Sequence, residues 1–315
     1  MKIIISPAKK MNADPDSLPC RDLPAFLPRT ERLLAALRAM DRPALQKLWR
    51  CSDAITEENL QRLRTMDLRR GLTPALLAYE GIQYRYMAPG VLTGAELDYL
   101  QQHLRIVSGF YGLLRPFDGV TPYRLEMQAR LPVDGAKDLY GFWGAAPALA
   151  LCAGEDTVLN LASKEYSTCI ARHLPAGVRM VTCVFGQEKN GKVVEKATLC
   201  KMARGEMVRY LAENRITDPD ALRGFENWNY RYDPARSDET TLVFLYREAR
   251  PRRPAPAPLP TPVPQIAHPR TPTCPPPCNI SPPTAPSTPA PLPSPVPQIA
   301  LPRAPLPSPT PRPKS

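Results

Sequence analysis

In the stretch YRLEM, residues 123–127, an arginine and a glutamate stand two apart between larger apolar neighbours. Read as a strand, it puts Tyr123, Leu125 and Met127 on one face and Arg124 and Glu126 on the other. The polar pair has two readings. One is a self-neutralising surface pair worth under about 1 kcal/mol; the other is a guanidinium aimed at an anion, with the carboxylate fixing its fork. Just upstream, SGFYG places Gly109 and Gly112 where backbone can approach another group closely. Exposed amides in such a turn make a nest for phosphate oxygens, and Arg105 and Arg115 flank it; the same glycines would serve a turn needed only for packing.

Further along, CKMARGEMVRYLAENR has a helical period. Lys201, Arg204 and Arg215 fall within about 60° of one another on the helical wheel, opposite Leu199, Met202, Ala203, Met207 and Tyr210. A solvated face is the usual meaning of such a pattern, but few acids lie near the cations and Gly205 opens their arc, as an anion contact requires. Two segments end predicted strands with polar groups: SPAK with Lys9, and NLASKEY with Asn160, Ser163 and Glu165. Strand ends are where a sheet presents its site. Asn160, Ser163 and Glu165, with Tyr123 and Glu126, are therefore the candidates for any catalytic role. No G-x-S-x-G, P-loop or H-E-x-x-H motif is present. A two-histidine iron site would need both His103 and His173, which flank unrelated elements.

The elements that must hold these residues are legible in part. KIIIS reads as a short buried strand ended by Ser6-Pro7. Leu33, Leu34, Leu37 and Met40 recur at helical spacing, Pro43 suits the first turn of the next helix, and Thr56 with Glu57 and Glu58 opens a third. Thr73-Pro74 starts another. Thr93-Gly94-Ala95-Glu96 is a capping box whose helix runs to about His103. DLYGFWGAAPALALC reads as a buried helix and TVLNLAS as a strand. Asn190-Gly191 supplies the two positive φ values of a tight hairpin between GVRMVTCVFG and KVVEKATL. A basic amphipathic helix follows from about Thr198 to Arg215, and TLVFLYR is the last strand. Strands and helices interleave without a strict βαβ rhythm, which predicts a mixed α/β, α+β-like single domain rather than a doubly wound sheet.

Composition divides the 315 residues in two. Of 41 prolines, 26 fall after Glu248. Ordering that tail would cost about 1–2 kcal/mol per residue of backbone entropy with no core to offset it. We therefore expect a globular domain over residues 1–248 and a disordered, proline-rich tail over 249–315. The tail holds the repeat PLPTPVPQIA and PLPSPVPQIA and a CPPPC motif, and reads as polyproline II, a spacer or a proline-motif ligand of unknown partner. Residues 251–315 carry six basic residues and no acid, leaving 35 basic and 30 acidic residues in the globular part. That mild excess permits an anionic partner if it gathers on one face. The six globular cysteines have no regular spacing, the N-terminus lacks a secretory h-region, and no apolar run is long enough to span a membrane. The expectation is a reduced, cytoplasmic protein with no cofactor.

Taken in order, ISPAK, HLRIVSGFYGLLRPFDGVTPYRLEM, KDLYGFWG, NLASKEY, NGK and KMARGEMVRYLAENRI resemble the YaaA family, the bacterial peroxide stress resistance proteins, over about residues 1–248. The resemblance implies a cytoplasmic protein that limits oxidative damage to DNA and proteins during hydrogen peroxide stress by lowering reactive intracellular iron. It also implies a single α/β domain with a positively charged cleft and a helix-hairpin-helix element that binds duplex DNA. The run from the helix at 93–103 through SGFYG would be that hairpin, although Gly109 and Gly112 are separated by two residues where such turns usually have one. YEGIQYRYMAP also departs from the family, with Ile82 and Gln83 where an acidic residue can stand.

Two readings of the site follow. In the first, a non-enzymatic protein binds duplex DNA without regard to sequence, with Lys9, Arg105, Arg115, Arg124, Lys137, Lys201 and Arg204 lining a basic cleft and Gly109 and Gly112 admitting phosphates; its link to iron is indirect and it holds no metal. In the second, an enzyme or iron-handling protein acts through Tyr123, Glu126, Asn160, Ser163 and Glu165 in the same cleft.

Overall fold

The computed structural model describes residues 1–227 and 229–247, all within one compact unit. The proline-rich tail and its repeats lie outside the described residues. An eight-stranded sheet organises the fold. Its strands are β1 (Lys2–Ile5), β2 (Leu104–Ser108), β3 (Gly112–Leu114), β4 (Thr157–Leu161), β5 (Arg179–Lys189), β6 (Lys192–Val194), β7 (Tyr230–Tyr232) and β8 (Thr241–Tyr246). The order across the sheet is β7-β8-β5-β4-β1-β2-β3, with β6 paired to β5.

The five central strands, β8, β5, β4, β1 and β2, run parallel. Antiparallel partners close the two edges, β7 on β8 and β3 on β2, and β6 folds back antiparallel on the last part of β5. Parallel strands buried on both faces read as continuous apolar runs rather than alternations, and Ile3, Ile4 and Ile5 of β1 are fully buried. Each such side chain contributes about 1.5–3 kcal/mol. The architecture is therefore mixed α/β, as expected, but its centre is parallel and not α+β-like. The βαβ rhythm is hard to see because one crossover, from β1 to β2, takes up residues 6–103 and several helices.

Those helices are α1 (Leu27–Arg38), α2 (Arg42–Trp49), α3 (Asp53–Thr65), α4 (Ile82–Met87) and α5 (Gly94–His103). Leu33, Leu34 and Leu37 bury the face their spacing predicted, and Pro43 sits in the first turn of α2. Helix α3 starts at Asp53, three residues before the predicted Thr56, because Ser52 already adopts the extended N-cap conformation. Thr73-Pro74 is a short strand ahead of a single helical turn at Ala75–Ala78. The capping box of α5 forms: Thr93 Oγ1 accepts from the Glu96 amide at 3.4 Å and the Glu96 carboxylate accepts from the Thr93 amide at 2.7 Å.

The rest of the chain departs from expectation in two places. DLYGFWGAAPALALC is two short helices, α6 (Leu139–Trp143) and α7 (Ala146–Leu151), broken where Gly144 takes φ +51°. After α5 the chain enters β2 directly and returns as β3, pairing Ile106 with Leu114 and Ser108 with Gly112. The segment expected to form a helix-hairpin-helix is thus a helix followed by a β-hairpin. The β-branched pair Ile106-Val107, within a run buried at Leu104 and 106–108, completes the sheet against β1. Helices α8 (Lys164–Ala171) and α9 (Ala197–Glu213) follow β4 and the Asn190-Gly191 hairpin, whose φ values are +52° and +73°. No described helix is long and apolar enough to cross a membrane.

The connections from β1 and β4 leave the sheet in opposite directions, β1 toward β2 and β4 toward β5. Parallel α/β sheets open a crevice outside their carboxyl ends at such a reversal. Helix α9 helps wall this one and is locked in place by Gly205. A Cβ there would stand 2.2 Å from the Gln83 carbonyl oxygen and 2.8 Å from Tyr86 Cβ, so α4 and α9 touch backbone to backbone. Gly205→Ala is expected to destabilise the fold by about 1–3 kcal/mol through overpacking, read as a lower urea midpoint at unchanged slope; an unchanged midpoint would show that the two helices can separate freely.

Candidate functional site

At the carboxyl end of β1 the chain turns at Ser6, and at the end of β4 it turns at Ser163. The two hydroxyls lie 3.2 Å apart, and Ser6 Oγ also accepts from the Ser163 amide at 2.8 Å. Tyr84 of α4 donates to the Ser6 carbonyl at 3.1 Å. These bonds stitch both strand ends to the wall formed by α4. Ser163 is the residue before α8, and its side chain is engaged with Ser6 rather than capping that helix.

On one side of the stitch a cavity of about 540 Å3 opens over the end of β4 and the neighbouring Thr182 of β5. Its floor is Asn160, whose Oδ1 accepts from the Ala162 amide at 2.9 Å and whose amide donates to Thr182 Oγ1 at 3.3 Å. Lys164, Lys201 and Arg204 line it, with Glu195 as the one acid. Arg204 was expected on the exposed basic face of α9. Its side chain is in fact only 14% exposed, and it meets Glu195 at 3.6 Å. Its buried Nε–H has no acceptor among the described residues.

On the other side, Lys9 Nζ lies 2.8 Å from Glu126, which Arg124 also faces at 3.8 Å. Arg124 is 13% exposed, and its Nε–H is likewise buried without an acceptor. The segment 123–127 is irregular rather than a strand, yet the alternation holds: Tyr123, Leu125 and Met127 are buried in the core, and Arg124 and Glu126 are only partly exposed between them. Gln128 donates its amide to Glu165 Oε1 at 3.3 Å, tying this segment to the first turn of α8. Burial raises the Glu165 carboxyl above its ordinary value, and the nearby Glu126 charge adds to the shift. A second cavity, of about 410 Å3, lies beside Glu126, Gln128 and Trp49, with Lys47, Arg50 and Arg130 around it.

The remaining predicted residues fall elsewhere. Arg105 sits at the start of β2 and Arg115 just beyond β3, at the opposite edge of the sheet. Arg105 donates to the Gln101 and Leu104 carbonyls, and Arg115 is paired with Asp22 at 3.0 Å and Asp118 at 2.9 Å. Lys137 is exposed in the turn before α6. The glycine turn makes no nest, because the Phe110 and Tyr111 amides already donate to Ser108 Oγ. Gly109 is glycine because the backbone of 125–127 lies across it, and Gly112, at φ +75°, because the Trp143 ring does. Tyr123 belongs to a buried hydroxyl chain, 2.8 Å from Tyr79 and 2.6 Å from Ser108, and burial pushes its phenol up to about 12. It is therefore a core residue bridging Tyr79 to Ser108.

Lys9, Arg124, Lys201 and Arg204 thus share the carboxyl edge with Asn160, Ser163, Glu126 and Glu165. Sequence reasoning missed Ser6, Lys164 and Thr182. The SPAK turn and the polar run after TVLNL carry the first two, but nothing local marks Thr182, which reaches the site only through its register with Asn160. Among the described residues, no three His, Cys, Asp or Glu side chains gather to hold a metal ion. His103 instead bonds the Met1 carbonyl.

A family model described as peroxide stress protein YaaA matches residues 1–236. Among curated relatives, a UPF0246 protein of Lachnoclostridium phytofermentans is 50% identical over 252 residues, covering 80% of this chain and 99% of the relative. One from Lactiplantibacillus plantarum is 51% identical over 247 residues, 78% of this chain and all of the relative.

The stitch and the raised carboxyl each make a prediction. Ser6→Ala leaves the Ser163 amide without its acceptor and is expected to cost about 1–3 kcal/mol, measured by urea unfolding; a neutral result would remove the stitch as a structural element. A carboxyl whose folded value is raised binds its proton more tightly in the folded state, so its contribution is full below the unfolded carboxylate range and is lost as pH rises through the folded value. Glu165→Gln, which cannot ionise, should therefore gain stability relative to the parent as pH rises from 4 to 7. A flat difference between the two unfolding midpoints across that range would contradict the assignment.

Proposed function

This chain belongs to the YaaA family of peroxide stress proteins, and on that premise we propose that it serves in peroxide stress by holding duplex DNA, without regard to sequence, along the carboxyl edge of its sheet. The observation that carries this reading is the pair of largely buried arginines there. Arg124 and Arg204 each keep a buried Nε–H with no acceptor among the described residues, and each meets its nearest carboxylate only at 3.8 or 3.6 Å. A buried guanidinium short of partners is costly unless an anion completes it. Lys9, Lys164 and Lys201 add exposed charge on the same edge, where the acids are Glu126, Glu165 and Glu195, one of them weakened by burial.

Phosphate contacts of this kind position a duplex without reading its bases. Bound protein would shield the backbone from oxidants, and its link to reactive iron would be indirect. The contact surface proposed is the sheet edge and not the 103–115 segment, where the Phe110 and Tyr111 amides and the Arg105 and Arg115 side chains are already engaged.

Fluorescence anisotropy with a labelled duplex at several salt concentrations tests the proposal. Contact with about three or four phosphates gives a slope of log K against log salt near −3. Lys201→Ala and Arg124→Gln should each reduce that slope by about 1, equally for unrelated sequences. An affinity that ignores salt, or no duplex binding by folded protein, would overturn it.

A further inference from the structure

The cavity over β4 and β5 has features that the duplex reading does not require. At about 540 Å3 it has the size of a small-molecule site, whereas internal phosphodiesters, flanked by sugars on both sides, are followed by open grooves. Lys164, Lys201 and Arg204 face Glu195 alone, leaving an excess of two positive charges. A phosphomonoester carries about −1.5 to −2 at pH 7, against the single charge of a diester.

The neutral groups match the same ligand. Thr182 Oγ1 accepts from Asn160, so its own hydroxyl hydrogen remains to be donated, and among the described residues nothing takes it. Arg204 lines the cavity, meets Glu195 only at 3.6 Å, and comes from a helix fixed by the close contact of Gly205 with Gln83. It is thus held in place before any ligand arrives, which lowers the ordering cost of binding. Buried Asn160, 5% exposed, is satisfied by the protein and shapes the floor without competing for the anion.

We propose that this cavity binds one terminal phosphoryl group, a phosphomonoester dianion, with Arg204, Lys201 and Thr182 as its donors. The group could come from a free nucleotide or from the 5′ end of a DNA strand. The proposal stands apart from the duplex reading, because it concerns a single terminal group rather than a backbone tracked along its length.

The test uses the full chain in calorimetric titrations with inorganic phosphate, AMP and adenosine, and in anisotropy with two blunt duplexes that differ only in a 5′-phosphate or 5′-hydroxyl. The expected result is that phosphate and AMP bind, adenosine does not, and Arg204→Gln weakens AMP by about tenfold or more, as loss of a charge-assisted bond implies. Lys201→Ala, at an exposed position, should weaken it several-fold and carries the test should Arg204→Gln fail to fold, as judged by its thermal melt. AMP binding with no preference between the duplexes assigns a free nucleotide; a preference for the 5′-phosphate duplex assigns a strand end. The proposal is overturned if phosphate and AMP do not bind and the 5′-phosphate adds nothing, if adenosine binds as well as AMP, or if folded Lys201→Ala and Arg204→Gln bind AMP unchanged. Binding of the 5′-hydroxyl duplex reports on the duplex reading alone, so either proposal can fail without the other.

Discussion

Burial of β1 on both faces and both edges is the constraint from which the rest follows. Ile3, Ile4 and Ile5 contact no solvent, and the strand is paired in parallel to β2 on one side and β4 on the other. A strand so enclosed has no freedom of register, because a slip of one residue would exchange its faces and break both ladders. With β1 fixed, the ends of β1 and β4 are fixed beside each other. Since their connections diverge, a crevice opens beyond them. The crevice is a consequence of topology before any side chain is considered.

Side chains then give the crevice its charge. The Ser6 and Ser163 bonds close the backbone at its base, and the Gly205 contact brings α9 near enough for Arg204 to turn inward. Arg124 arrives from the other flank on a segment laid across Gly109. In both cases a glycine hidden in the packing, and not an exposed one beside the ligand, sets the position of a cation. Both arginines meet their glutamates only at long range, 3.8 Å for Arg124 and 3.6 Å for Arg204. Their buried Nε–H groups are left without an acceptor among the described residues, against the general rule that buried polar groups are hydrogen-bonded.

The sequence was most legible where the cause is local. The capping box at Thr93, the Asn190-Gly191 hairpin, Pro43 and the three isoleucines of β1 depend on a few neighbouring residues, and each forms as read. It was least legible around SGFYG. Two glycines between arginines have the same local pattern in a phosphate nest as in a turn that admits a tryptophan ring. Only the arrival of Trp143, more than thirty positions later, tells them apart. The same holds for Arg105 and Arg115, which share a short segment with Arg124 in the sequence yet sit at the opposite edge of the sheet.

By itself the sequence determined the family, the mixed α/β class, the buried central strand and the residue types that could bind an anion, because these rest on composition, short-range conformational preference and ordered motifs. Tertiary structure alone decided which cations share an edge, that Arg204 is buried rather than solvated, and that Thr182 stands beside Asn160. Those outcomes depend on strand order and on backbone contacts between distant segments. Strand pairing is settled by the burial of the whole sheet, which no local window of sequence contains.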